Sequence, residues 1–213
     1  LIVSGKADTP EWLNLDQARK MGDMGLAIWD FASDQNPDVV FAAVGDYLTR
    51  ECLAAIMILK EDVEGIRLRF VNILDLTVLL PKNGKRFESF NNYFTEDKPV
   101  IINFHGYPET IKQILFDMGS AAGRMYIHGY LESGSTTTAF DMQVRNETSR
   151  YHLAMQTLDI LYKKGELSSD LYQNLKNKYK NIVIYYSHLM QLRSRNIFYF
   201  VNLNSPEKLI NSL

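Results

Sequence analysis

The sequence predicts an α/β domain, a mostly parallel sheet with helices over both of its faces. Three observations carry this. Val39–Val44 is an unbroken apolar run between Pro37-Asp38 and Gly45-Asp46, the pattern of a short strand buried on both faces. A glycine turn and a helical spacing of apolar residues follow it directly. The same alternation of apolar run and helical pattern recurs along the chain, which places the strands parallel and joins them by right-handed crossovers.

Taken in order, residues 1–3 form an apolar strand-like run that breaks at Ser4-Gly5-Lys6, and Pro10 and Trp12 follow in a stretch with turn chemistry. In NLDQARKMG, Asn14 stands three residues before Gln17, the spacing of a reciprocal cap, and Gly22 predicts the helix end. Residues 26–31 read as a strand ending in Ser33-Asp34-Gln35-Asn36-Pro37, and Val39–Val44 is the predicted central strand. Residues 49–59 carry Leu53, Ile56, Met57 and Leu59 at helical spacing and stop near Gly65. Residues 67–73 read as the next strand, and residues 74–95 as a connection with a turn and a short helix over 87–94. Val100–Phe104 is a further strand, ended by His105-Gly106-Tyr107-Pro108; residues 107–118 are helical and residues 124–130 strand-like. Leu153, Met155, Leu158 and Leu161 predict a helix over 148–161, closed by Gly165. Ser168-Ser169-Asp170 caps another, running through Leu171, Leu175 and Tyr179. Residues 182–200 are aromatic and β-branched, and their spacing does not choose between helix and strand. The expected division is an α/β domain over residues 1–165 with a helical extension and tail, 166–213, packed on it.

With 213 residues the chain can bury a core without disulfides, as one large domain or as a domain with a helical extension. Apolar residues make up 46% and charged residues 23%, ordinary globular values, and a formal charge of −2 offers no broad basic field for nucleic acid. Cys52 is the single cysteine, so no disulfide forms within the chain, and that usage suits the cytoplasm. No apolar run has the length of a membrane span, and no signal-peptide pattern opens the sequence. The expectation is a soluble cytoplasmic protein with neither nucleic acid nor membrane as partner. Strand-like residues begin at Leu1 itself, so a piece of a longer chain is also expected.

The stretch HGYLESGSTTTAFDMQVRN, residues 128–146, has the most unusual local composition. Thr136, Thr137 and Thr138 follow Gly134 and Ser135 where a strand gives way to a helical pattern. Short hydroxyl side chains at such a junction either cap the helix locally or hold an anion against its first turn. Among the histidines, His105 and His128 each stand at or near the end of a predicted strand, and the crevice outside the carboxyl ends of parallel strands is the common ligand site of an open sheet. Hydrogen bonding within the fold is the competing role for both. His152 and His188 belong to no spaced pair, and no metal site is predicted. Gly45-Asp46 lacks the G-x-G-x-x-G spacing, and neither a G-K-[ST] loop nor a G-x-S-x-G elbow occurs, which disfavours dinucleotide binding and a hydrolase triad. Lys6, directly after Gly5 in a turn, is a compact cation beside backbone that a phosphate can approach closely.

Several motifs agree in order along the chain: IVSGKADTPEWLNLDQAR, VVFAAVGDYLTRE, RFVNILDL, KPVIINFHGYP, IHGYLESGSTTTAFDM and NETSRYHLAMQTLD. Together they resemble the C-terminal domain of the thiamine-dependent phosphoketolases that act on xylulose 5-phosphate and fructose 6-phosphate, from residue 1 to about residue 178. The resemblance implies a three-layer α/β/α domain on a mixed five-stranded sheet of the transketolase C-terminal type, with extra C-terminal helices. It implies a homodimeric full-length enzyme in which preceding domains of the same chain bind thiamine diphosphate and Mg²⁺. That enzyme would use inorganic phosphate to cleave the sugar phosphate to acetyl phosphate and an aldose phosphate. No catalytic residue is expected in this domain, and the lysine of the family's G-K lead, a phosphate contact, falls on Lys6. For His105, His128 and the three threonines the resemblance carries motif identity without a role. After about residue 179 the sequence departs from the charged, tryptophan-bearing family end. An alternative from another class is a regulatory or interaction module that binds a small anion near His105, His128 and the threonines without catalysis.

Overall fold

The computed structural model describes residues 10–80, 90–116, 122–131 and 138–194, with side chains described through residue 189. Helices α1 (Leu15–Met24), α2 (Asp46–Asp62), α3 (Phe90–Phe94), α4 (Pro108–Leu115), α5 (Ala139–Arg145), α6 (Arg150–Lys163) and α7 (Ser169–Ser194) are interleaved with five strands. These are β1 (Leu26–Ile28), β2 (Val39–Val44), β3 (Leu68–Ile73), β4 (Val100–Phe104) and β5 (Met125–Gly129). They form one sheet in the order β1-β3-β2-β4-β5. β3, β2, β4 and β5 run parallel, and β1 pairs antiparallel with β3. The expected three-layer fold on a mostly parallel mixed sheet is therefore the fold the chain adopts.

β2 lies at the centre, as its unbroken apolar run requires, and residues 39–43 are all buried. Alternation along the strand splits its side chains between two cores. Val39, Phe41 and Ala43 pack with Cys52, Leu53, Ile56 and Leu59 of α2 and with Leu153, Leu158 and Tyr179 of α6 and α7. Val40 and Ala42 pack on the other face, with Phe90 and Phe94 of α3 and Ile111 and Leu115 of α4. Phe41 and Phe70 stand opposite each other across β2 and β3, both fully buried, and each contributes about 1.5–3 kcal/mol relative to an exposed ring.

Element ends follow local chemistry. Asn14 Oδ1 accepts from the Gln17 N–H at 2.9 Å and Gln17 Oε1 accepts from the Asn14 N–H at 3.0 Å, the predicted reciprocal cap. The helix continues past Gly22, because the residue that leaves it in the left-handed region is Gly25, at φ 74°, whose N–H bonds the Met21 carbonyl. β1 is shorter than residues 26–31: after Ile28 the chain turns into a 3-10 helix over Asp30–Ala32. Residues 182–194 continue α7 as helix, and residues 195–213 lie outside the described residues. α7 is no loose appendage where it is described. Leu175 and Tyr179 are buried in the core, and the Tyr179 hydroxyl donates to Asp62 at 2.7 Å.

Candidate functional site

The sheet has one point where neighbouring strands send their chains to opposite faces. β2 leads into α2 on the face covered by α6 and α7, whereas β4 leads into α4 on the other. Between their carboxyl ends the two departing chains leave a crevice, the usual ligand position of an open α/β sheet. The strand ends are held together there by the His105 N–H, which donates to the Val44 carbonyl at 3.0 Å. Gly45 is forced by the geometry. Its φ of 97° and ψ of 153° lie where side chains are not tolerated, and a Cβ would sit 2.7 Å from the Cβ of His105.

His105 is exposed at the rim, between two aromatic rings. Tyr47 from the first turn of α2 meets it edge-on at 6.2 Å and Tyr130, just after β5, at 5.1 Å. Burial pushes the Tyr130 hydroxyl above its ordinary pKa, and the Glu51 carboxylate and Tyr47 act in the same direction. Glu51 is the buried charge under this site. With its side chain only 1% exposed, it accepts from the Arg150 backbone N–H at 2.8 Å, from Nε at 2.9 Å and from Nη2 at 2.6 Å. The bidentate fork fixes the start of α6 against α2, and the hydrogen bonds to Glu51 raise the Arg150 pKa.

On the far side of Tyr47 a groove of about 350 Å³ runs over the ends of β2 and β3. Pro10 and Trp12 line it, with Asp46, Thr49, Arg50 and Asn72 as its polar groups. Asn72 Nδ2 donates to the Thr49 hydroxyl at 2.8 Å. The Arg50 guanidinium lies 5.5 Å over the Tyr47 ring and has no carboxylate partner among the described residues. The groove can therefore offer an anion a cation, a hydroxyl and an amide, with the Asp46 carboxylate opposing it, and His105 stands across Tyr47 from these groups.

The chain matches the family described as the XFP C-terminal domain over residues 6–191. The chain belongs to the phosphoketolase C-terminal domain family. It is 41% identical over 184 residues to a probable phosphoketolase of Pediococcus pentosaceus, covering 83% of this chain and 23% of that one. Against a probable phosphoketolase of Clostridium acetobutylicum it is 40% identical over 185 residues, 84% of this chain and 23% of that one. This phosphoketolase C-terminal domain thus spans under a quarter of the length of these relatives. Among solved structures, a transketolase of Pichia stipitis aligns with a TM-score of 0.46 and 14% identity over 70% of this chain and 21% of its own. A transketolase of Leishmania mexicana aligns with a TM-score of 0.45 and 10% identity, over 64% and 18%.

Of the residues singled out from the sequence of this phosphoketolase domain, His105 is the one placed in the crevice. His128 pairs with Asn103 two positions back along the ladder, and no contact joins it to His105 among the described residues. Burial lowers the His128 pKa, against the opposing pull of the Glu147 carboxylate and a hydrogen bond to the Glu147 backbone. His152 is lowered by burial too, and its Nδ1 lies 2.7 Å from the Ser149 hydroxyl. Thr138 caps α5, its hydroxyl accepting from the Asp141 N–H at 3.3 Å, so it takes the local of the two roles open to it. Lys6, Thr136 and Thr137 lie outside the described residues.

Tyr47, Arg50, Tyr130 and the Glu51–Arg150 pair were not singled out. Glu51 had a signal, since a carboxylate heading the apolar helix ECLAAIMIL must be solvated or partnered. The resemblance assigns thiamine diphosphate and Mg²⁺ to preceding domains and not to this one. No group of three or more His, Cys, Asp or Glu side chains among them could hold a metal ion, and the crevice presents rings and single polar groups instead. No helix is long and apolar enough to cross a membrane among the described residues.

Proposed function

We propose that this domain completes a cytoplasmic, homodimeric phosphoketolase whose cofactor-binding domains precede it in the same chain. The enzyme cleaves xylulose 5-phosphate or fructose 6-phosphate with inorganic phosphate, giving acetyl phosphate, an aldose phosphate and water. Thiamine diphosphate with Mg²⁺, held by the preceding domains, supplies the carbanion chemistry. This domain supports assembly, with residues 166–213 as its helical extension and tail, and provides Lys6 as a phosphate contact.

The observation that carries this reading is the position of Pro10 and Trp12 on the groove at the carboxyl ends of β2 and β3. Lys6 is four residues earlier, so its Cα lies within about 14 Å of that of Pro10 whatever path the backbone takes. In this proposal Lys6 reaches the phosphate that Arg50 also meets. An ammonium and a guanidinium acting together suit a phosphate dianion, which accepts charge-assisted hydrogen bonds from both.

In the full-length protein, Lys6→Ala should raise the KM for phosphate or sugar phosphate roughly ten- to a hundredfold, the equivalent of one lost charged hydrogen bond. Thiamine diphosphate affinity should stay unchanged. Steady-state kinetics equal to those of the parent would remove Lys6 from the site. A non-catalytic anion-binding module is the second reading, favoured by Arg50, which has no carboxylate partner among the described residues. Phosphate binding abolished by Arg50→Ala, in a full-length protein that forms no acetyl phosphate, would establish it instead.

A further inference from the structure

β1 is the outermost strand on its side of the sheet and has three residues. The Trp29 N–H donates to Phe70 and the Gly25 carbonyl accepts from Leu74, both across to β3. By the alternation of an antiparallel ladder, the N–H and C=O groups of Leu26 and Ile28 turn away from β3; Leu26 is already buried within the domain, so Ile28 carries the open part of the edge. A groove of about 630 Å³ lies along this edge, walled by Gln17, Lys20 and Met24 of α1 on one side and by Tyr93 of α3 on the other, with Ile28 and Trp29 in its floor. The Tyr93 hydroxyl approaches Met24 Sδ at 4.0 Å, so the two walls meet at one end.

The groove continues into an aromatic ridge. Trp12, Trp29 and Phe31 stand in series, with ring centroids 6.4 and 5.5 Å apart, and Phe31 is 60% exposed. Met24, 41% exposed, adds apolar surface on the same groove. An open strand edge next to a contiguous apolar patch is a combination that folded proteins cover.

The position of this face in the chain indicates what covers it. The relatives are about four times as long as their matched part, and a C-terminal domain has the remainder before it. Trp12, six residues after the family match begins, stands on this face against Trp29, so the start of the domain lies here. A second copy fits poorly. Its own α1 and α3 flank the same edge and would meet those of the first copy, and two three-residue strands would share few hydrogen bonds.

We infer that the β1 edge and the Trp12–Phe31 ridge seat the part of the same polypeptide that precedes this domain, which fills the groove with an apolar side chain and covers the outward amide of Ile28. The inference rests on the reading of this chain as the end of a longer phosphoketolase. It adds the face by which the domain is held.

Hydrogen exchange and amine cross-linking on the full-length protein test it, with acetyl phosphate formation measured on the same sample. The Ile28 amide should exchange about a hundredfold or more slower than a free amide, and Phe31→Asp should return about tenfold of that while β2 stays protected. Met24→Ser, a milder change on the groove wall, should accelerate exchange in the same direction. Lys20 should cross-link to residues preceding this domain. Free exchange at the Ile28 amide, or Lys20 cross-links that join two copies through this edge, would overturn the inference. The two readings fail separately: turnover with a freely exchanging edge removes the docking face alone, and a protected edge without turnover removes the activity alone.

Discussion

Gly45→Ala places one methyl group at the narrowest point of the crevice, and its cost has two separable parts. The first is conformational. At φ 97° and ψ 153° the backbone is in a region essentially reserved for glycine, and a residue with a Cβ costs about 1–3 kcal/mol there. The second is steric. The new Cβ sits 2.7 Å from the Cβ of His105, and His105 cannot retreat freely because its N–H is bonded to Val44. Such overpacking adds about 1–3 kcal/mol. Even the two lower bounds together, about 2 kcal/mol, lower the Tm of a domain this size by about 4–8 °C. His105→Gly removes the steric partner and leaves the φ penalty. Measured in the His105→Gly background, Gly45→Ala should therefore be milder by about 1–3 kcal/mol. The assay is urea unfolding followed by circular dichroism, comparing midpoints at constant m. A Gly45→Ala protein within about 0.5 kcal/mol of the parent, or an equal loss in both backgrounds, would refute this account of the turn.

Glu51→Ala removes all three hydrogen bonds to Arg150 and strands a guanidinium whose side chain is 31% exposed; a loss of about 3 kcal/mol in urea unfolding is expected, at the low end for a broken buried pair. Stability should also fall on mild acidification. Burial depresses the proton affinity of His128 and His152 in the folded state, so their contribution is complete above the unfolded value of 6.5 and is lost as pH drops through the lower folded values. Replacing both by glutamine should flatten the unfolding free energy against pH between about 7 and 5, and an unchanged slope would count against buried neutral imidazoles. Burial pushes the Cys52 thiol far up, so it should react with a disulfide reagent only as fast as the domain opens, and rapid labelling under native conditions would contradict its position on the buried face of α2.

The parts of the fold legible in the sequence are those where one local rule decides. Val39–Val44 had no polar residue to expose and became the central strand; Asn14 and Gln17 had each other at capping distance and formed the cap. Gly22 misled because a glycine is tolerated within a helix, and the stop depended on Gly25 three residues on. The break between α5 and α6 was hidden for a different reason. Glu147 sits there at φ 55°, a conformation that no glycine advertised. At the candidate site, His105 was legible from strand ends alone. Tyr47, Tyr130 and the Glu51–Arg150 pair were not, because strand order decides which loop tips become neighbours, and no local pattern encodes that order.

Glu51 and Arg150 are 99 residues apart in sequence. At a synthesis rate of about 5–20 residues per second, Arg150 follows Glu51 out of the ribosome by about 5–20 s. Through that interval β2, α2 and β3 are already made, yet α2 cannot settle on the sheet without removing a carboxylate from water that has no cation to meet. The pair makes the first half of the domain wait for the second. A polypeptide ending before residue 150 therefore leaves Glu51 without this partner, and the pair couples the seating of α2 to the arrival of α6.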